Sequence, residues 1–358
     1  MLLAVLAFAG LSVSAQKNEE ENLNQKPTAV IVANDVSGDG RSDFVVVRND
    51  GPSSLTETQG VTDYTGKNVA ETMRNRAALA PDAVGSTWYE ADSNQTPRAT
   101  FLFGVNTDTF IMANVVGDNK SDLVVWRQAA NAAFYVMDSG TNTVSVYTFG
   151  TNGDVPTVLN DFNNDGRDDL AVYRQGVTGS PQSVFYWAST TAPTAVTAIP
   201  WGTVGDVGFT LDYDGDRKAD VAIQRNVGGT GQFWVRRSSD GATEVINNFG
   251  FGTDFIVPGD YNGDGRDDIC VSRNLSGFKY FFPRDSATGN VSFIQWGIPG
   301  DVVTQSDYDG DGKTDVAVWR PGAVGGNGVF YVMKSTGGVQ TFIWGRNGDY
   351  PVNNWNVH

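Results

Sequence analysis

Cysteine is nearly missing from this chain. Cys270 is the only one among 358 residues, so no intrachain disulfide can form. Histidine is as scarce: His358 is the only one. That excludes Ser-His-Asp and Cys-His nucleophilic catalysis and any multi-histidine metal centre. Positive charge is short as well, 25 Lys and Arg against 41 Asp and Glu, for a formal charge of −16. A phosphate backbone needs a basic surface, so nucleic acid is excluded as a partner. Glutamate is rare, 7 residues against 34 Asp. Helical surfaces use Glu freely, whereas Asp and Gly favour turns. With 42 glycines, the composition points to an all-β chain with many tight loops.

Long apolar runs are also missing. Residues 1–15 are apolar or small but fall short of the roughly 20 needed to span a membrane. With Val13-Ser14-Ala15 before Gln16, they read as a secretory signal peptide, although the n-region has no Lys or Arg. Residues 16–27, carrying Glu19-Glu20-Glu21, read as a polar linker. The expected location is secreted, extracellular or at the cell surface, with the periplasm as the alternative. A secreted chain without disulfides must be held together by other means.

What the chain has in place of these is a repeated acidic loop. The fullest copy is Asp307-Tyr308-Asp309-Gly310-Asp311-Gly312-Lys313-Thr314-Asp315. Carboxylates at positions 1, 3, 5 and 9 repel one another unless a hard cation with oxygen ligands, such as Ca²⁺, sits among them. The loop begins like an EF-hand, but position 12 is Val318, not Glu, and Val316-Ala317-Val318-Trp319 reads as a strand. Asp315 would close the shell instead.

Aligned copies start at Asp35, Asn114, Asp161, Asp212 and Asp260, separated by 79, 47, 51, 48 and, to Asp307, 47 residues. A period near 48 signals a repeat array. The candidate metal ligands are Asp307, Asp309, Asp311 and Asp315, with Asp212, Asp214, Asp216 and Asp220 in the other four-Asp loop. Two loops use Asn at position 3: Asp161, Asn163, Asp165, Asp169 and Asp260, Asn262, Asp264, Asp268. Asp35, Ser37, Asp39 and Asp43 form a weaker set. The loop at 114–122 keeps only Asp118 and Asp122, with Val116 at position 3, and is expected to stay empty.

Each unit carries further marks. Five residues after position 9 stands an arginine: Arg48, Arg127, Arg174, Arg225, Arg273 or Arg320. Strand alternation places it with aliphatics such as Leu170 and Val172, so it needs an acidic partner. An aromatic doublet follows, Trp88-Tyr89, Phe134-Tyr135, Phe185-Tyr186, Phe233-Trp234, Tyr280-Phe281 and Phe330-Tyr331. The unit ends in an aromatic-Gly turn closed by Asp108, Asp154, Asp206, Asp254, Asp301 or Asp349, six candidates to pair with six arginines. The aromatic stripes read as packing, and Cys270, aligned with Ala171, Ala222 and Ala317, as a small core residue. Four short strands per unit, repeated radially, make a β-propeller. Six blades are expected, with an incomplete seventh as the alternative. Thr28–Ala33 and Tyr350–Trp355 compete for the same first strand, and the surplus copy would close the ring. Residues 51–86 form an insertion in the first unit, with a short helix expected within Asn68–Ala80.

The D-x-(D/N)-x-D-G-x-x-D loops and Phe-Gly or Trp-Gly turns resemble VCBS/FG-GAP repeats, bacterial relatives of the integrin α-subunit propeller repeats. The resemblance covers about residues 28–358, without the Gly-Ala-Pro element. It implies a secreted or surface-exposed calcium-binding propeller. It implies no single activity, since such repeats serve as adhesion modules, lectins and accessories to polysaccharide-active enzymes. The expected function is a non-catalytic, monomeric module that binds a glycan or a protein. The alternatives are a structural module of a surface assembly and a polysaccharide-active enzyme.

Overall fold

A computed structural model describes residues 33–49, 85–156 and 158–352. The chain divides into a short unit, Met1–Val30, and a large one, Ile31–His358, to which all described residues belong. The signal peptide, the linker, residues 50–84 and the helix expected in Asn68–Ala80 lie outside the described residues. Gly85 and Ser86 open a strand, so the insertion is shorter than 51–86 by these two residues. Among the described residues no helix is long and apolar enough to cross a membrane.

The large unit is a six-bladed β-propeller of antiparallel sheets. The second blade shows the pattern, with strands Thr109–Ala113, Asp122–Arg127, Ala133–Met137 and Val144–Thr148 paired in sequence order. Its first strand is buried at every residue and its fourth is almost wholly exposed, so blades run outward from a buried inner edge. The third blade has three regular strands, and bridges at Val155–Tyr173 and Asn160–Asp169 supply its inner edge.

The first blade is assembled from both ends of the propeller. Tyr350–Pro351 pairs with Phe44–Asn49 and takes the inner position, ahead of Gly85–Ala91 and Pro97–Val105. The C-terminal copy therefore closes the ring, and the count is six blades.

Packing explains the aromatic repeat. The first member of each doublet is buried between blades, as with Trp88, Phe134, Phe185, Phe233 and Phe330. In the fifth blade the expected doublet Tyr280-Phe281 is corrected to Phe281-Phe282. Phe281 lies opposite Ser272 and is fully buried, as Phe330 lies opposite Trp319. Three adjacent aromatics, Tyr280 to Phe282, left the register open in sequence, and the pairing decided it. Ser272 stands where other blades have Trp126, Tyr173 or Trp319, and the space is taken from across the strand by Lys279, where other blades have Ala132, Ser183 or Gly328. Cys270 is buried, as expected of a core residue.

Candidate metal centres

Five acidic loops join the first and second strands of their blades, and the loop at 35–43 leads into the second strand of the first blade, Phe44–Asn49, whose inner partner comes from the C-terminal end. The loop backbone turns because positions 4 and 6 have positive φ in all six copies. Glycine fills most of them, with φ near 80° at Gly310 and Gly312, while Asn119, Asn164 and Arg217 adopt the same conformation at greater cost. Position 1 then accepts the loop's own N–H groups. Asp307 Oδ1 takes those of Gly310 (2.6 Å) and Asp311 (3.2 Å), and its Oδ2 that of Gly312 (2.8 Å). Asp35, Asp161, Asp212 and Asp260 repeat the arrangement.

The loops are chained to one another. The N–H at position 8 donates to the position-1 carbonyl of the preceding blade in all six cases, at 2.7–2.9 Å. The links run Ser42 to Asp307, Ser121 to Asp35, Asp168 to Asn114, Ala219 to Asp161, Asp267 to Asp212 and Thr314 to Asp260. They form a closed main-chain circuit. A basic residue at position 7 crosses the preceding loop, as Arg41 does over Gly310 and Lys120 over Gly38. The sequence carries this residue in every copy, at Arg41, Lys120, Arg167, Lys218, Arg266 and Lys313.

The structure gathers the expected ligands unequally. Ligand oxygens of Asp35, Asp39 and Asp43, of Asp212, Asp214 and Asp220, and of Asp307, Asp309 and Asp311 lie within 4.8 Å of one another. Asp216 and Asp315 belong to the same two loops, each accepting a hydrogen bond from the adjoining hairpin. In the loop at 161–169, Asn163 turns its amide nitrogen to Asp169 (3.2 Å), and Asp165 donates its N–H to Asp161 (3.2 Å). In the loop at 260–268, Asn262 accepts the N–H of Asp264, and Asp268 is held by the N–H of Ser286. Ser37 donates to Asp35. In the loop at 114–122, Asp122 accepts the N–H groups of Val115, Val116 and Ser139, and its position 3 offers no side-chain oxygen.

Two observations fit a cation to these loops. First, Asn163 Oδ1, Asp214 Oδ1 and Asp309 Oδ1 are buried atoms without a hydrogen-bond partner, and all three stand at position 3. A buried oxygen without a donor is costly unless something else coordinates it. Second, the position-9 carboxyls are driven toward protonation. Burial, then the Asp35 charge, pushes Asp43 up to about 8. Burial pushes Asp169, Asp220, Asp268 and Asp315 up to about 7, with neighbouring loop carboxylates adding to it. Among these carboxyls only Asp43 has an ion-pair contact in the described residues, a long one of 3.9 Å to Arg98.

The sequence reading missed the second half of the site. The hairpin between the third and fourth strands brings a serine to each loop. Ser238 and Ser335 donate their N–H to Asp220 and Asp315 and their hydroxyls to Asp216 and Asp311. Ser93 and Ser189 donate hydroxyls to Asp39 and Asp165, and Ser139 and Ser286 donate N–H to Asp122 and Asp268. The signal was present: a serine stands five residues after the first aromatic in five units, and four after it at Ser189.

The opposite face carries the arginines and the closing turns. Each turn Asp accepts the N–H three residues before it, as Asp301 does from Ile298 (2.9 Å). Each then takes the arginine of the blade it leads into. Arg320 Nε and Nη2 reach the two oxygens of Asp301 at 2.7 and 2.8 Å, and Arg48 pairs likewise with Asp349 across the closure. Arg127, Arg174 and Arg225 repeat the fork with Asp108, Asp154 and Asp206, while Arg273 makes one bond to Asp254. The expected pairing holds, with one correction. The aspartates are buried, but the arginine side chains are 17–43% exposed, lying flat over Tyr89, Tyr135, Tyr186, Trp234, Phe282 and Tyr331. Stacking on the second aromatic of the doublet, not burial in the core, positions them.

No family model matches the chain, and no curated protein does. Among solved structures it is similar to the Dos1 propeller, at 12% identity over 74% of this chain and 77% of that one, with a TM-score of 0.37. It is also similar to an oligogalacturonate lyase in complex with manganese, at 13% identity over 83% of this chain and 77% of that one, with a TM-score of 0.41. At such scores the likeness says nothing about ligand or chemistry; the fold rests on the sheets themselves, and a propeller suits a binding or structural module.

Proposed function

We propose that this protein is a secreted, calcium-organised propeller acting as a non-catalytic binding or adhesion module for a glycan or a protein. The carrying observation is the set of buried position-3 oxygens, Asn163 Oδ1, Asp214 Oδ1 and Asp309 Oδ1, left without donors among carboxylates. An all-oxygen, flexible donor set of this kind suits Ca²⁺ better than Mg²⁺, which demands near-octahedral geometry and keeps several waters. Residues at positions 1, 3, 5 and 9 of the loops at 35, 161, 212, 260 and 307 would hold the ions. A bound cation would supply positive charge at the centre of the clustered carboxylates, which Arg98 reaches only at 3.9 Å from Asp43.

The ligand belongs on the face opposite these loops. There the connections between second and third strands vary in length, and side chains such as Val177, Val204, Phe251 and Val324 are exposed. Variable loops on a rigid scaffold are where recognition concentrates. Asn49 and Ser86 also lie on that face, paired at the end of the sheet away from the acidic loop.

The test has two arms. Calcium bound per chain is measured by calorimetry, and glycan and protein arrays are probed with Ca²⁺ and with chelator. Absence of bound Ca²⁺ would refute the metal part. Binding unaffected by substitutions at Val177, Phe251 and Val324 would refute the choice of face. Turnover on a polysaccharide panel would refute the non-catalytic part.

A further inference from the structure

We infer that the hairpin between the third and fourth strands sets the affinity of each acidic loop, and that the loops at 212–220 and 307–315 are the two tight sites. This rests on the metal reading above and ranks the loops within it. The argument starts from which oxygen of each carboxylate is already taken.

In the loop at 307–315, Thr336 donates its hydroxyl to Asp309 Oδ2, leaving Asp309 Oδ1 buried and without a partner. Ser335 holds Asp311 Oδ2 at 2.7 Å and, through its N–H, Asp315 Oδ1 at 2.6 Å. The loop at 212–220 repeats this. Ser239 donates to Asp214 Oδ2, Asp214 Oδ1 stays unpartnered, and Ser238 serves Asp216 and Asp220. Three of four ligand carboxylates are thus held by the hairpin, and the position-3 carboxylate is the one that keeps an oxygen without a donor. Without those donors, mutual repulsion would swing the position-3 carboxylate outward, and binding would have to draw it back.

The pairing of features within this one chain supports the ranking. A hydroxyl directed at position 3 occurs where position 3 is Asp. In the other loops, where position 3 is Ser37, Val116, Asn163 or Asn262, the residue after the hairpin serine is Asn94, Gly140, Thr190 or Ala287. Thr190 is a hydroxyl too, but it donates to the Val115 carbonyl of the neighbouring blade at 3.4 Å. Ser239 and Thr336 are therefore positioning residues, acting through Asp214 and Asp309.

The test is a calorimetric Ca²⁺ titration of the full chain, with Tb³⁺ luminescence as a second readout. Two tight sites are expected, resolved from a weaker class. Thr336→Val should weaken one tight site by about tenfold or more, the usual scale for a lost outer partner of a metal ligand, with the number of sites unchanged. Thr336→Ser should restore it, and Ser239→Ala should weaken the other. Ser239 and Thr336 are exposed, so these substitutions leave the core untouched. Asp309→Ala removes the site itself and serves as the control. If Thr336→Val and Ser239→Ala titrate like the parent while Asp309→Ala loses a site, the hairpin proposal is overturned and the metal reading stands. If the parent takes up no Ca²⁺, both are overturned.

Discussion

Aspartate is used in two opposite ways on the two faces of this propeller. On the turn face Asp108, Asp154, Asp206, Asp254, Asp301 and Asp349 each meet an arginine, and the charges cancel within the chain. On the loop face aspartates meet one another, with backbone N–H groups as their main partners, and Asp43 is driven up to about 8 by burial and by Asp35. The first arrangement is complete as folded. The second, on the proposal above, would be completed by a cation from outside. Inter-blade links exist on both faces, so what separates them is the paired arginine.

The sharpest way to break this comparison is chelation. At tenfold saturation each site adds roughly 1.4 kcal/mol, so several sites together would amount to about 5–7 kcal/mol. Thermal unfolding with Ca²⁺ should shift down by about 10 °C on adding chelator, and Asp118→Ala should leave that shift intact. An unchanged transition would make the two faces equivalent. Next in size is the turn face itself. Arg320→Met or Arg174→Met strands a buried Asp, which costs about 3–5 kcal/mol for a fully buried pair. These arginines are 36% and 43% exposed, so about 2–3 kcal/mol is expected, with or without Ca²⁺, by denaturant unfolding.

Glu90 sharpens the comparison from within the core. It is buried where other blades have Val136, Val235 or Val332, its Oε1 has no partner, and burial pushes it up to about 7, against the opposing pull of Arg98. A folded value above the unfolded one means stability that is full below about pH 4 and lost as pH rises through about 7. Glu90→Gln should flatten that dependence and raise stability at pH 8 by about 3 kcal/mol, at roughly 1.4 kcal/mol per pH unit. An unaltered pH–stability curve would remove Glu90 from the account. The smallest effect is expected at Arg217, which holds φ 66° where Gly40, Gly166, Gly265 and Gly312 stand in other loops. Arg217→Gly should stabilise by about 1 kcal/mol or less, because relief of the left-handed backbone is partly offset by glycine's freedom when unfolded.

Much of the fold was legible in the chain alone, because a repeat presents the same pattern six times. Loop spacing gave the period, the aromatic-Gly turns gave blade ends, and equal numbers of Arg and turn Asp gave the pairs. The fifth doublet was misplaced because Tyr280, Phe281 and Phe282 are all aromatic, and only pairing with Ser272 distinguishes them. The hairpin serines were missed because a serine in a polar turn looks like any other. Their meaning lies in proximity to a loop about 20 residues earlier, as Ser335 is to Asp315.

Local sequence therefore determined what each unit is: a glycine-permitted acidic loop, a strand ending in arginine, an aromatic pair and an Asp-closed turn. These depend on spacing over a few residues, where backbone geometry leaves little choice. Tertiary structure alone decided what the units do to one another. It chose Tyr350–Pro351 as the strand that closes the first blade, joined loops through Ser42 and Asp307 across the ends of the chain, and set Thr336 against Asp309. Each of these contacts joins residues whose separation in sequence carries no record of their meeting, and only the radial packing of six sheets brings them together.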